Sequence, residues 1–237
     1  MKLHRFFGNF DLNLSQIEIF DKNILNQLKN VLRLKSGDKI ILCDGNSNEA
    51  FGVIDFLSKN LVKIKIEKVY KNENEPKNYV ILYCAILKKE NFELIVQKAT
   101  EIGIKEIVPI ISERTIKLSF KSDRMEKIIK EAAEQSDRGE LPILQSAINF
   151  EDAVKNASKN NLNLFFNING EKIDQENQQK ENQKIGIFIG PEGGWSENEL
   201  AMIKKSGNFK IKSLGSLVLR AETAAIAASY IAVNKFI

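Results

Sequence analysis

Cysteine and histidine are scarce in this sequence, and their scarcity excludes several kinds of site. The chain has two cysteines and one histidine among 237 residues. A disulfide framework or a zinc site needs more ligands than Cys43, Cys84 and His4 can supply, so we expect no metal centre. A Ser–His–Asp triad is implausible when His4 is the sole histidine. Both cysteines lie in apolar, strand-like runs, which indicates buried thiols in a reducing cytoplasm.

Long apolar runs and the common nucleotide-binding signatures are also missing. No apolar stretch is long enough to span a bilayer, and the first residues lack the apolar core of a signal peptide, so we expect a cytoplasmic protein without a membrane partner. No P-loop and no Gly-x-Gly-x-x-Gly motif is present, which argues against an ordinary NTP or dinucleotide site. The net charge of +4 permits a nucleic-acid partner but does not require one.

Residues 1–70 carry the signals of a small β-rich domain. Several short strand patterns surround one amphipathic helical pattern at residues 21–34, and this combination favours a small β-barrel. The strand patterns cover residues 3–7, 39–43, 50–56 and 61–69. Cationic side chains on the outer face of the barrel could contact phosphate, although an ordinary solvated face is equally consistent. These side chains are Arg5, Lys29, Arg33 and Lys35.

Beyond this domain the pattern changes. Residues 71–78 are polar and include a proline, which is typical of a linker. From residue 79 onwards, strands alternate with helices, and this alternation predicts a mostly parallel α/β sheet. The predicted elements include a helix that ends at Gly103, a strand at residues 106–111 and a helix at residues 150–157. Residues 171–184 are almost wholly polar and are predicted to form a loop. The final helix, about residues 220–236, is apolar on nearly all sides, so another subunit or the protein's own loops should cover it.

The most informative stretch lies at residues 185–199. A short apolar strand runs into a turn with three glycines at positions 190–194, and Ser196 with Glu199 forms the capping box of a following helix. Glycines let a ligand approach bare backbone N–H groups, and strand–turn–helix junctions are where open parallel sheets bind ligands. A tight turn without any ligand is the alternative.

A second stretch, residues 213–225, repeats this plan. A strand end is followed by Gly215 and then by an apolar helix whose first turn carries Arg220, Glu222 and Thr223. Two such loops at neighbouring strand ends could form two walls of one pocket. A pocket of backbone groups with an arginine and a glutamate suits a nucleoside-like ligand better than it suits hydrolysis.

Both glycine loops belong to a set of six motifs that occur in a recognisable order. The motifs are Arg5-Phe-Phe, Val31-Leu-Arg with Gly37-Asp, Lys98-Ala-Thr-Glu-Ile-Gly, Glu131-Ala-Ala-Glu-Gln-Ser-x-Arg with Pro142, Gly190-Pro-Glu-Gly-Gly-Trp-Ser-x-x-Glu, and Leu214-Gly-x-x-Val-Leu-Arg-x-Glu-Thr-Ala. Together they resemble the RsmE family, ribosomal RNA (uridine-N3)-methyltransferases of the SPOUT class, over essentially the whole chain. Family members often carry a histidine just before Val-Leu-Arg, where this chain has Asn26-Gln27.

This resemblance implies a fold, a cofactor and partners. It implies a PUA-like RNA-binding β-barrel domain at residues 1–70, a linker at residues 71–78, and a SPOUT methyltransferase domain with a C-terminal trefoil knot at residues 79–237. It implies S-adenosylmethionine as cofactor, a homodimer whose active site draws on both subunits, and ribosomal RNA or the assembled small subunit as substrate. The cofactor would lie against the two glycine loops. The residues implied are Ile189, Gly190, Pro191, Gly193, Gly194, Leu214, Gly215, Val218 and Leu219.

Arg220 and Glu222 are the predicted catalytic residues. Arg220 would donate hydrogen bonds to a uracil carbonyl as negative charge develops there, and Glu222 would orient Arg220 or take the N3 proton. A structural ion pair between these two residues is the alternative.

Four residues are candidates for RNA binding: Arg5, Arg33, Arg138 and Gln135. For Arg138 and Gln135, a cross-subunit contact or capping of the core is an equal alternative. Two other functions stay open at this point, a SPOUT methyltransferase for another RNA such as tRNA, and a non-catalytic RNA-binding dimer scaffold.

Overall fold

The computed structural model describes residues 3–116, 120–173 and 181–234, and the chain divides into two compact units. The first unit combines Met1–Glu75 with Ala133–Leu141. The second combines Pro76–Ala132 with Pro142–Ile237. Within the described ranges, no helix combines the length and the apolar character needed to cross a membrane.

The first unit is built on a five-stranded sheet that encloses an apolar core with one short helix. Its strands are β1 (His4–Phe7), β2 (Gln16–Ile19), β3 (Lys39–Cys43), β4 (Asn48–Leu57) and β5 (Val62–Lys71), in the order β1-β3-β4-β5-β2. β1 pairs with β3 in parallel, and the other pairs are antiparallel. All four predicted strands are present, and β2 is added because its two buried residues, Ile17 and Ile19, are too few to give a clear period.

The predicted helix at residues 21–34 is present but ends early. Asp21 caps helix α1 (Lys22–Asn26) by accepting hydrogen bonds from the backbone N–H groups of Asn23 and Ile24. A π-helical turn, Gln27–Val31, follows directly. The chain then leaves the helix at Arg33, whose φ angle is 56°.

The first unit is completed by a segment that returns to it from far along the chain. The Glu75 carboxylate accepts hydrogen bonds from Arg138 Nε at 3.2 Å and Nη2 at 2.9 Å, and from the backbone N–H groups of Gly139 and Glu140. Asn72 donates to the carbonyl of Asp137 at 3.1 Å. The sequence pattern indicated a solvated linker at residues 71–78 and gave no sign of these anchors, because their partners lie more than 60 residues away.

We expect Glu75→Gln to destabilise the first unit by about 3 kcal/mol, because it removes the negative charge that pairs with the buried Arg138 guanidinium. The Arg138 and Glu75 side chains are 5% and 9% exposed, so water does little to screen this pair. Urea unfolding measures the difference. Glu73→Gln, at an exposed neighbouring position, is the matched control and should leave the unfolding midpoint unchanged. Equal midpoints for both variants would contradict a stabilising role for the pair.

The second unit is an α/β layer structure with a seven-stranded sheet. Its strands are β6 (Tyr79–Ala85), β7 (Glu106–Ile111), β8 (Ile143–Leu144), β9 (Ile148–Asn149), β10 (Leu162–Lys172), β11 (Lys184–Ile189) and β12 (Phe209–Ser213). Its helices are α2 (Lys89–Ile102), α3 (Ser122–Gln135, whose end belongs to the first unit), α4 (Phe150–Ala157), α5 (Glu197–Lys204) and α6 (Ala221–Asn234). The order is β12-β10-β11-β6-β7-β8, β9 also pairs with β7, and every pair is parallel, as predicted.

Local signals predicted the ends of these elements well. Helix α2 ends at Gly103, whose φ of 109° is the left-handed cap that the glycine indicated. β10 runs as far as Lys172, into the predicted polar loop, and residues 174–180 of that loop lie outside the described residues. Helix α6 packs on α2, β6 and β11, but Tyr230 stays 57% exposed, and the predicted end of the helix at residue 236 lies outside the described residues.

Both cysteines are free and buried, as predicted. Burial raises the pKa of the Cys43 thiol to about 12 and also raises the pKa of the Cys84 thiol. Among the described residues, no group of His, Cys, Asp and Glu side chains could hold a metal ion.

Candidate functional site

The two glycine loops of the second unit lie at the same edge of its sheet. One loop, residues 190–194, follows β11, and the other, residues 214–220, follows β12. All strands of this sheet are parallel, so both loops leave at the carboxyl edge, where open α/β sheets bind ligands. The strands are not neighbours, however, because β10 pairs with both and lies between them. The expectation of neighbouring strand ends was wrong, since chain order alone does not fix strand order.

Local contacts fix the conformation of the first loop. Gly190 leaves little room for a side chain, because an added Cβ would lie 3.0–3.2 Å from the Trp195 indole, closer than an ordinary van der Waals contact. Trp195 is 5% exposed, and its Nε1 donates to the carbonyl of Phe166 at 3.0 Å. Gly194 has a φ of 69° and donates its N–H to the carbonyl of Pro191 at 2.8 Å, which closes a tight turn.

Helix α5 begins directly after this turn. Ser196 and Glu199 form the predicted capping box, with Ser196 N donating to Glu199 at 2.8 Å and Glu199 N donating to Ser196 Oγ at 3.1 Å. The residues before the cap therefore form a short, fixed bridge from strand to helix. Ile189 and Pro191 are buried, while Gly193 and Gly194 are exposed, so this part of the loop presents backbone groups to solvent.

Sequence reasoning missed one arginine that touches this loop. Arg114 follows β7 and donates from Nη1 to the carbonyl of Gly193 at 2.8 Å. The preceding residue, Glu113, donates its backbone N–H to Glu199 at 3.2 Å, and its carboxylate accepts from Asn198 at 3.2 Å. The available signal was a polar run, residues 112–115, directly after an apolar strand at the ligand-binding edge.

The second loop exposes an unusual run of apolar side chains. Gly215 has a φ of 140°, and the Ser213 hydroxyl bonds both its N–H and its carbonyl, at 3.2 and 2.8 Å. Leu217, Val218 and Leu219 then follow with 77%, 83% and 37% of their surfaces exposed. Three consecutive exposed aliphatic residues form an apolar stretch of surface, a feature that is common at binding sites.

Arg220 and Glu222 lie at the start of helix α6 with contrasting environments. Arg220 is exposed, and its carbonyl accepts the first helical hydrogen bond, from Ala224 N at 2.8 Å. Glu222 is 9% exposed, and its buried Oε2 has no hydrogen-bond partner among the described residues. No ion pair joins the two side chains in the part of the chain that the structure describes. The carboxylate thus has an acceptor atom available, close to a helix N-terminus that favours negative charge.

The four RNA-binding candidates all belong to the first unit and differ in exposure. The Arg5 guanidinium bonds Glu49 and contacts Asp137 at 2.9 Å. Burial alone would lower the pKa of Arg5, but the hydrogen bond and charge of Glu49 raise it. Arg138 is engaged by Glu75, as described above, whereas Gln135 is exposed at the end of α3. Arg33 is also exposed. Contact of these residues with RNA stays a prediction, and exposure favours Arg33 and Gln135 over Arg5 and Arg138.

Two protein-family models match the chain. A model described as an RNA methyltransferase domain matches residues 73–233, and a model described as an RNA methyltransferase PUA domain matches residues 18–67. The chain is 35% identical to a ribosomal RNA small subunit methyltransferase E from Rickettsia conorii, over 96% of this chain and 94% of the relative. It is 36% identical to the protein of the same name from Mesomycoplasma hyopneumoniae, over 94% and 96%.

Solved structures give the same result. A ribosomal RNA small subunit methyltransferase E from Neisseria gonorrhoeae, bound to S-adenosylmethionine, is similar with a TM-score of 0.88 and 29% identity, over 96% of this chain and 95% of that one. A methyltransferase from Legionella pneumophila, also with bound S-adenosylmethionine, has a TM-score of 0.88 and 28% identity over 98% and 97%. The matched domains, the full-length relatives and the paired glycine loops agree, and the chain belongs to the RsmE family of ribosomal RNA small subunit methyltransferases.

Proposed function

We propose that this protein methylates N3 of a specific uridine in small-subunit ribosomal RNA, with S-adenosylmethionine as the methyl donor. The observation that carries this proposal is the pair of glycine loops at one sheet edge, next to an exposed arginine and a buried glutamate oxygen that has no hydrogen-bond partner among the described residues. The family and the bound cofactor in two similar structures support the choice of donor.

The residues of the two loops fit this cofactor. An adenosine group needs backbone donors and acceptors for its base edge and apolar contacts for its faces. Gly193 and Gly194 offer exposed backbone, and Val218 and Leu219 offer exposed aliphatic surface. Gly190 keeps the loop narrow because the indole of Trp195 fills the space beside it. The residues that would hold the cofactor are Ile189, Gly190, Pro191, Gly193, Gly194, Leu214, Gly215, Val218 and Leu219.

The chain's own residues account for the remaining chemistry. When bound, the cofactor would supply an electrophilic methyl group to N3 of uracil and would leave as the neutral thioether, and the N3 proton would pass to a base. Exposed Arg220 donates hydrogen bonds to a uracil carbonyl, where negative charge grows as the proton departs. Glu222 accepts that proton or orients Arg220, and its Oε2, which has no hydrogen-bond partner within the described ranges, is the atom suited to either task.

A homodimer is part of the proposal. The exposed residues Leu217 and Tyr230 lie on or beside helix α6, which is mostly apolar, and a second copy of the chain would cover them. Such a dimer would let each active site draw on both subunits. The C-terminal trefoil knot rests on the family resemblance.

Calorimetric titration of S-adenosylmethionine into the purified protein tests the proposal. We expect saturable binding at one site per chain, or one per dimer, and competition by the demethylated product S-adenosylhomocysteine. Absence of binding by a folded dimer, with and without added ribosomal RNA, would favour the alternative of a non-catalytic RNA-binding scaffold.

A further inference from the structure

A cleft in the first unit combines positive charge with apolar walls. It has a volume of about 370 Å³. The π-helical turn, the segment that follows it and the end of β4 contribute its lining, which consists of Lys29, Arg33, Leu34, Lys35, Ser36 and Leu57. Half of these side chains are cationic, and the lining contains no acidic residue.

The three cations of the cleft have no carboxylate partner in the part of the chain that the structure describes. Among the described residues, Lys29, Arg33 and Lys35 form no ion pair. The nearby Asp38 carboxylate accepts the backbone N–H of Lys35 at 2.7 Å and belongs to the turn itself. This separates Arg33 from Arg5, whose charge is satisfied inside the unit. The positive charge of the cleft is therefore available to an anion.

The backbone at Arg33 favours a different residue. Leu34 N donates to Leu28 O at 2.9 Å, and a hydrogen bond between residues this far apart in sequence is typical of a helix C-terminus. Arg33 occupies the left-handed position of this turn, at a φ of 56°. Glycine is the residue usually found at such a position, because it has no side chain to strain. An arginine occupies this position against the preference of the backbone. The turn itself therefore does not favour arginine, which is consistent with a role for the side chain.

The apolar part of the lining indicates which anion fits. Leu34 and Leu57 are partly buried walls, and Val31 beside them is 66% exposed. A free phosphate gains nothing from such surfaces, whereas a nucleotide places a ribose or base against them while its phosphate meets the cations. We propose that this cleft binds a phosphodiester and the adjoining nucleoside of the RNA strand, which makes it a substrate-holding site of the proposed methyltransferase.

Arg33→Gly in the full-length protein tests this site, because it has opposite effects on RNA binding and on stability. Loss of the charge should weaken RNA binding, whereas glycine suits the left-handed backbone. Binding of a short fluorescein-labelled single-stranded RNA from the small-subunit sequence is followed by anisotropy at several salt concentrations. We expect roughly a tenfold loss of affinity, and a fall of about 0.7 in the slope of log K against log salt. The melting temperature should stay the same or rise, because glycine relieves the left-handed strain.

Two matched controls separate the effect of the lost charge from the effect of the relaxed backbone. Lys65→Ala removes one charge from an exposed position on β5 outside the cleft, and Asn182→Gly relieves another left-handed residue in the second unit. Neither should change RNA affinity. Unchanged RNA affinity in Arg33→Gly, or a loss matched by Lys65→Ala, would overturn the proposal. Displacement of the RNA by inorganic phosphate at equal concentration would show a simple anion site and would also overturn it.

This inference rests on the proposed function, and its failure is separable from the failure of that function. S-adenosylmethionine affinity is measured on the same samples and should be equal in wild type and Arg33→Gly. If the wild type methylates RNA and Arg33→Gly binds that RNA equally well, the cleft assignment alone is wrong. If the wild type binds neither S-adenosylmethionine nor RNA, both are wrong.

Discussion

Arg220→Lys should slow RNA methylation by roughly a hundredfold or more, the usual effect of removing a donor that stabilises developing charge. Affinity for S-adenosylmethionine should stay within about twofold, a difference of less than 0.5 kcal/mol. Arginine holds a planar set of donors that a carbonyl oxygen can accept from, and lysine offers a single point charge on a flexible stem. Arg220 is exposed at the start of α6 and makes no ion pair among the described residues, so its side chain is available to a substrate.

Single-turnover methylation with a radiolabelled donor measures the rate of reaction, and calorimetry measures the affinity for the cofactor. Arg124→Lys is the matched control, because Arg124 lies on the exposed face of α3 in an ion pair with Glu93, away from both glycine loops in sequence. The control should react at the wild-type rate. An equal loss of cofactor affinity and turnover in Arg220→Lys would mean that Arg220 shapes the pocket and takes no part in the chemistry.

Gly190→Val is expected to abolish measurable binding of S-adenosylmethionine. A Cβ at this position would lie 3.0–3.2 Å from three atoms of the Trp195 indole. The indole cannot retreat easily, since it donates to Phe166 O and packs against the rings of Phe150 and Phe165, with centroids 5.2 and 4.6 Å away. The loop must therefore shift, which would displace the backbone groups that we propose hold the cofactor. Overpacking of this kind also costs about 1–3 kcal/mol of stability.

Loss of folding must be separated from loss of binding. Gly207→Val is the control, because Gly207 is exposed and nothing lies within 4 Å of an added Cβ. Circular dichroism and the melting temperature establish that Gly190→Val is folded at the temperature of the titration. Normal cofactor affinity in folded Gly190→Val would mean that the cofactor does not use this loop.

Local patterns predicted most of the second unit. The strand at residues 106–111, the helix at residues 150–157, the Gly103 cap and the Ser196 capping box all appear where short-range signals indicated them. Each depends on residues a few positions apart, which is the range over which periodicity and capping act. The place of β10 between the two loop-bearing strands was not predictable, because strand order follows from packing across the whole sheet.

Long-range polar contacts account for the other differences between the predictions from sequence and the structure. The return of residues 133–141 to the first unit depends on the Glu75–Arg138 pair, whose members are 63 positions apart. Arg5 and Arg33 looked alike in sequence, as arginines of one β-rich domain. They differ in the structure because Arg5 meets Glu49 and Asp137, 44 and 132 positions away, while Arg33 stays exposed. Such partners leave no mark on the sequence around either residue.

Nucleoside analysis of the reaction product tests the proposed activity most directly. Small ribosomal subunits, and separately their deproteinised RNA, are incubated with the protein and S-adenosylmethionine, digested to nucleosides and resolved by mass spectrometry against methylated standards. We predict one new nucleoside, 3-methyluridine, formed by the wild type and nearly absent with Arg220→Lys. A methyl group on ribose or on another base, or no methylation of either substrate by a protein that binds the cofactor, would contradict the assignment of uridine N3.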